Sequence, residues 1–291
     1  MRYGLLGGCC LLMLLLSLFS HADAGDDALI SEVKRIEKHL DARVGFAAYD
    51  VETGQRWEYH ARDRFPVTST FKTLACAALL QRVDHGNERL ERKVSVLPSD
   101  LVTYSPVLEE YANGREISLF ELCEATMTTS DNTAANLVLR SLGGPESITS
   151  FVRQLGDAST RLDRWETELN QAVPGDERDT TTPSSMIGNL EKLLYGEVLS
   201  QESRAQLRTW LINNRVADGL FRSNIPDDWG IGDRTGAGGF GSRSITAVIW
   251  PPERKPVFVA FYMTETGASF DERNAAIAEV GRVLFDVIGA E

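Results

Sequence analysis

Ser69 and Lys72 stand three residues apart at the head of an apolar run, Thr73-Leu74-Ala75-Cys76-Ala77-Ala78-Leu79-Leu80. Residues three apart on a helix share a face, so the spacing predicts a lysine amine beside a serine hydroxyl. A serine hydroxyl becomes a nucleophile when a base takes its proton. Lysine is such a base once burial or positive neighbours lower its pKa. A helix start also aims free backbone N–H groups at the reacting centre. On its own, Ser69-Thr70-Phe71-Lys72 is unspecific. A plain helix start, with Thr68 or Ser69 as N-cap and Lys72 as a solvated charge, accounts for it as well.

Three later segments carry matching chemistry. Ser130-Asp131-Asn132 precedes a second helix-like run. Glu166 and Asn170 lie in Arg164-Trp165-Glu166-Thr167-Glu168-Leu169-Asn170, and Arg234-Thr235-Gly236-Ala237 falls in the strand-like C-terminal part. Each has a bland counterpart: a helix cap for Ser130, a turn residue for Asn132, a solvated charged loop for Glu166. Other catalytic schemes find no support. Beyond residue 24 the histidines are His39, His60 and His85, scattered and without an acidic partner at useful spacing, and there is no Gly-x-Ser-x-Gly, His-x-His or His-Glu-x-x-His. The run from Gly236 to Gly241 fits Gly-x-Gly-x-x-Gly, but a strand-like segment follows it where a nucleotide site needs a helix.

The elements that must position these groups are legible from periodicity. Residues 26–41 place Leu29, Ile30, Val33, Ile36 and Leu40 in a helical stripe. Residues 43–51 and 56–60 read as a hairpin across Glu52-Thr53-Gly54. From Ser69 to about Asn214 the chain is mainly helical with long loops, of which 161–183 is charged and broken by Pro174, Gly175 and Pro183. Strand character returns from Trp229, with apolar runs at 245–250 and 257–262, and residues 270–288 close the chain as an amphipathic helix. The expected architecture is α/β: an antiparallel sheet built from both chain ends and flanked by helices, with an inserted all-helical subdomain. The expected boundaries are 25–65 plus 215–291 for the α/β part and 66–214 for the helical part, in one catalytic domain, 25–291.

The 291 residues carry a net charge of −12, which argues against a nucleic-acid partner. Residues 1–24 read as a secretory signal: Arg2, an apolar stretch from Leu5 to Phe19, and Ala22-Asp23-Ala24 as a small-residue cleavage site. Its removal leaves two of the four cysteines, Cys76 and Cys123. In an oxidising compartment such a pair reads as a disulfide, contributing about 4 kcal/mol by the chain-entropy model, with two buried thiols as the alternative. The rest of the chain has no apolar run of membrane-spanning length.

Taken in order, Ser69-x-x-Lys72, Ser130-Asp131-Asn132, Glu166-x-x-Leu169-Asn170 and Arg234-Thr235-Gly236 resemble the class A serine β-lactamases. Ser-x-x-Lys, Ser-Asp-Asn and Lys-Thr-Gly form the known signature of that family and of the penicillin-binding proteins. The resemblance spans residues 25–291 and implies a metal- and cofactor-free hydrolase that opens the β-lactam ring of penicillins and confers resistance. It implies that Ser69 forms the acyl-enzyme, that Ser69 and Ala237 supply oxyanion N–H donors, and that Ser130 protonates the leaving nitrogen. Lys72 joins the proton network. Asn132 binds the substrate side-chain amide. Glu166, with Asn170, activates the deacylating water.

Tyr104 is expected to wall the cleft, Arg164 and Asp179 to tie off the loop, and Arg234, Thr235, Gly236 and Arg243 to help bind substrate. Most members have lysine where this chain has Arg234. Arginine keeps the charge but presents a planar fork, and it resembles the carbenicillin-hydrolysing branch, so carboxypenicillins are expected substrates. A penicillin-binding transpeptidase would lack the deacylating glutamate, and a β-lactam sensor would be tethered to a membrane segment. The resemblance also implies a periplasmic, Gram-negative monomer with small-molecule partners and no stable membrane association after signal cleavage.

Overall fold

The structure, a computed structural model, describes residues 28–290. The expected leader, 1–24, lies outside the described residues. The chain opens with helix α1 (28–39), whose Leu29, Val33 and Ile36 are fully buried. Strands β1 (Arg43–Asp50) and β2 (Arg56–Tyr59) then form a hairpin. Near the other end come β7 (Gly230–Ala237), β8 (Arg243–Trp250) and β9 (Val257–Thr264), followed by helix α8 (Phe270–Gly289). These strands make one antiparallel sheet in the order β2-β1-β9-β8-β7. The first and last strands of the chain thus pair directly, with Phe46 opposite Phe261 and Ala47 opposite Ala260.

Both faces of this sheet are covered, which is why β9 reads as an unbroken apolar run. Val257, Val259, Phe261 and Met263 pack with α1 and α8, through Ile277, Val280, Leu284 and Ile288. The alternate residues Phe258, Ala260 and Tyr262 belong to a second core shared with the intervening helices. Those helices are α2 (Phe71–Asp84), α3 (Leu119–Thr129), α4 (Asn132–Leu142), α5 (Glu146–Gln154), α6 (Pro183–Tyr195) and α7 (Gln201–Ile212). Every residue of α2 from Phe71 to Leu80 is buried. A helix apolar all round belongs at the centre of a core, and α2 packs against its neighbours on several sides.

Cys76 on α2 is disulfide-bonded to Cys123 on α3, with Cα atoms 5.8 Å apart, within the span a disulfide bridges. Two small ribbons had no expectation in the sequence. β3 (Phe65–Pro66) pairs with β6 (Thr180–Thr181), and β4 (Lys93–Ser95) with β5 (Glu116–Ser118). Segments of two or three residues are too short to show alternation. No helix among the described residues is long and apolar enough to cross a membrane.

Candidate active site

β7 is an edge strand of the sheet and faces a single 3₁₀ turn, Thr68–Thr70, that leads into α2. Gly236 makes this approach possible. A Cβ there would lie 1.9 Å from Thr68 Oγ1 and 2.7 Å from Ser244 Oγ. Thr68 itself sits at φ 43°, a left-handed conformation costly for a β-branched residue, beside a Thr68–Ser244 hydroxyl contact of 3.2 Å. Gly236→Ala is therefore expected to destabilise the fold by about 1–3 kcal/mol through overpacking. A denaturant melt checks this, and a change below about 0.5 kcal/mol, the range of an inert surface substitution, would show that the approach is not tight.

Between the turn and β7 lies a cleft of about 290 Å³. Ser69, Tyr104, Ser130, Asn132, Asn170, Thr235, Gly236, Ala237 and Arg243 all line it, together with Val216 and Phe270. Lys72, Glu166 and Arg234 are buried behind these walls. Cys76, Cys123, Arg164 and Asp179 lie outside the lining and act on the framework.

Neither Thr68 nor Ser69 caps α2 through its side chain. Ser130 is likewise no N-cap: it ends α3 at φ 65°, and Asp131 caps α4 by accepting from Ala134 N–H. The left-handed turn at Ser130 aims its hydroxyl into the cleft. Ser130 Oγ donates to Ser69 Oγ at 3.3 Å, and Lys72 Nζ donates to Ser130 Oγ at 3.2 Å. Lys72 also donates to Ser130 O at 2.9 Å and to Asn132 Oδ1 at 2.6 Å. The expected contact of Lys72 with the Ser69 hydroxyl is replaced by a relay through Ser130. Asn132 and Ser130 lie at the α3–α4 junction and draw the amine toward them.

Lys72 has 0% exposure and Glu166 2%, so the solvated-loop alternative for Glu166 does not hold. Their Nζ–Oε1 separation is 3.1 Å, off the hydrogen-bond axis, so that Oε1 keeps no aligned donor among the described residues. Burial pushes the Lys72 amine down to about 8. Glu166 opposes that shift, and Arg234 adds to it. The other Glu166 oxygen accepts from Asn170 Nδ2 at 2.5 Å.

Asn136, which the sequence reading missed, brackets Glu166 from α4. Its Oδ1 accepts from Glu166 N–H at 2.9 Å, and its Nδ2 donates to Glu166 O at 2.8 Å. The available signal was an amide four residues after Asn132, on the same face of the helix, beside the apolar run Leu137-Val138-Leu139. Val216 and Phe270 offered none, since only tertiary packing brings them to the cleft.

The loop carrying Glu166 is closed at its neck by Asp179. This carboxylate accepts from the N–H groups of Asp163 (2.7 Å) and Arg164 (2.9 Å) and from Arg164 Nε (2.5 Å). Asp179 O accepts from Val67 N–H at 2.8 Å, two residues before Ser69.

Burial pushes the guanidinium pKa values of Arg234 and Arg243 down to about 10; Asp233 opposes this at Arg234, while Arg273 and Arg234 reinforce it at Arg243. Arg243 is aimed by Asn274 Oδ1 (2.7 Å) and Gly236 O (2.9 Å). Two cations thus bias the cleft toward an anion beside the serine–lysine–glutamate array, near enough for Arg234 to help lower the Lys72 pKa. His39, His60 and His85 are all exposed; contrary to expectation His60 does have an acidic neighbour, Asp63 at 3.2 Å, through an i,i+3 turn outside the cleft lining. After Gly241 the chain enters strand β8 and no helix.

A profile of the β-lactamase enzyme family matches residues 28–288. The β-lactamase CARB-4 of Pseudomonas aeruginosa is 49% identical over 260 residues, 89% of this chain and 90% of that protein. PSE-4 of the same organism is 49% identical over 256 residues, 88% of each chain. Among solved structures, an ancestral (GNCA) class A β-lactamase superposes with a TM-score of 0.87 at 50% identity, covering 89% of this chain and 99% of that one. The chromosome-encoded β-lactamase of Vibrio parahaemolyticus gives 0.88 at 43% identity, covering 90% and 100%.

Proposed function

This chain belongs to the β-lactamase enzyme family, within class A, and from that premise we propose how its residues open and release a penicillin. Ser69 Oγ attacks the lactam carbonyl, forming the acyl C–O bond as the C–N bond breaks. The oxyanion is held by the backbone N–H groups of Ser69 and Ala237. The hydroxyl proton of Ser69 leaves to a base, and Ser130, in contact with both Ser69 and Lys72, delivers a proton to the departing nitrogen. With a pKa of about 8, Lys72 is roughly 10% neutral at pH 7, enough to take part as a base. Water then attacks the ester. Glu166, its carboxylate held by Asn170 and its backbone by Asn136, takes a proton from that water and passes it to Ser69 Oγ as the ester C–O bond breaks and penicilloate leaves. With Lys72 or Glu166 as the acylation base, each proton and charge falls to a side chain or backbone group of this chain, so the scheme calls for no metal or cofactor.

The observation that carries this reading is the burial of Glu166 beside Lys72, with its second oxygen held by Asn170. A protein that merely traps penicillin has no use for a fixed carboxylate there.

Arg243 and Thr235, backed by Arg234, receive the substrate's ring carboxylate, while Asn132 and Tyr104 contact the side-chain end. We place the working enzyme, a monomeric single domain spanning 25–291, in the Gram-negative periplasm. Support comes from the leader-like first residues and the Cys76–Cys123 disulfide.

With arginine in the third motif, carboxypenicillins belong to the substrate range. Steady-state rates should give kcat/KM values for carbenicillin and benzylpenicillin within about tenfold of each other, roughly the worth of a single hydrogen bond. A carbenicillin value lower by orders of magnitude would refute this range.

A further inference from the structure

Arg234 has 0% exposure, yet only one of its three guanidinium nitrogens has a partner among the described residues. Nη1 donates to Asn214 Oδ1 at 3.3 Å, while Nε and Nη2 have none. A buried arginine ordinarily engages more of its five donors. Its direction therefore rests on Asn214, itself 3% exposed and just beyond α7.

Asn214 is a junction. Its Nδ2 donates to Asp233 Oδ1 at 2.7 Å, and Asp233 is in turn ion-paired with Arg222 at 2.8 Å. Its Oδ1 accepts from Arg234 Nη1 and also from Val216 N–H at 3.2 Å, and Val216 is a wall of the cleft. One planar amide thus ties the Arg222–Asp233 pair, the Arg234 guanidinium and the cleft wall together. An amide fits because the position needs a donor on one side and an acceptor on the other. A carboxylate would face Asp233 as a like charge and would also neutralise Arg234. An apolar residue would leave Asp233, Arg234 and Val216 each short of a partner.

We propose that Asn214 is a positioning residue for substrate-carboxylate recognition: it aims Arg234 so that the charge serves the substrate, and it sets the Val216 wall from the same oxygen. Resting on the assignment of Arg234 to carboxylate binding, this extends that assignment to a residue outside the four motifs.

A double-mutant cycle tests it in the purified enzyme with benzylpenicillin, using wild type, Asn214→Ala, Arg234→Ala and the double variant, with KM, kcat and melting temperature read for each. Loss of one hydrogen bond to a charged group corresponds to about a tenfold effect, so Asn214→Ala should raise KM about tenfold and change kcat by less than about threefold. In the Arg234→Ala background the same substitution should raise KM by clearly less, about threefold at most, because the route through Arg234 is gone and only the Val216 wall is still set by Asn214. The melting temperature should fall by similar amounts in both backgrounds, since the Asp233 and Val216 bonds are lost in each.

An equal rise in KM in both backgrounds, or no rise in the wild-type background, overturns the proposal. If Asn214→Ala does not fold, Asn214→Asp takes its place: neutralising Arg234 should raise KM at least as much, and an unchanged KM overturns the proposal equally. Failure of wild type to turn over benzylpenicillin would instead sink the hydrolase reading itself.

Discussion

Glu166→Ala is expected to leave acylation by benzylpenicillin intact and to slow turnover by about 10²–10⁴-fold, the range of a lost general base. Intact mass should show a single stoichiometric penicilloyl adduct that persists. The acylation groups do not depend on Glu166 for their positions: Ser130 contacts both Ser69 and Lys72, and Asn132 holds the amine. Glu166 also works against the depression of the Lys72 pKa, so its removal lets burial and Arg234 lower that pKa further. A more neutral lysine is the better proton acceptor, which keeps the first half of the reaction running. The second half loses the carboxylate that Asn170 holds on a backbone bracketed by Asn136. Near-wild-type turnover, or no adduct at all, would contradict this division of labour.

Asp179→Asn is expected to cost about 3–5 kcal/mol, the range seen when one partner of a buried ion pair is removed. The Asp179 side chain is fully buried and that of Arg164 only 15% exposed, so without the carboxylate the guanidinium is left with Gln171 at 2.8 Å and a looser 3.7 Å contact to Asp176. The three N–H donors that converge on the carboxylate would meet an amide with a single acceptor oxygen. The loss should reach catalysis as well, because the same residue closes the loop that carries Glu166 and is bonded to Val67 beside the Ser69 turn. Chemical denaturation gives the first effect. Limited proteolysis within 163–179 and the deacylation rate give the second. Wild-type values for stability, loop protection and penicillin turnover together would show that the tie is unimportant.

Long elements with a strong period were legible in the sequence. The terminal helices announced themselves through stripes such as Ile277, Val280 and Leu284, and β9 through its unbroken apolar run. The motif residues were legible as well, since the order of four short segments identifies a family that none identifies alone. What escaped was set by tertiary geometry. Ser130 looked like a helix cap, but its left-handed backbone hands that task to Asp131 and turns its hydroxyl toward Ser69. Lys72 was expected beside Ser69, but Ser130 and Asn132 engage its amine. Asn136 and Asn214 gave little sign because an asparagine looks the same in sequence whether it caps, turns or holds another residue. Their roles depend on the loop and the strand that fold against them.

Acylation of Ser69 and its release by Glu166 are read together when the purified protein is mixed with excess benzylpenicillin and product formation and intact mass are followed on the same sample. Many turnovers per molecule with little lasting adduct are expected. A single stoichiometric adduct without continued product formation would contradict this.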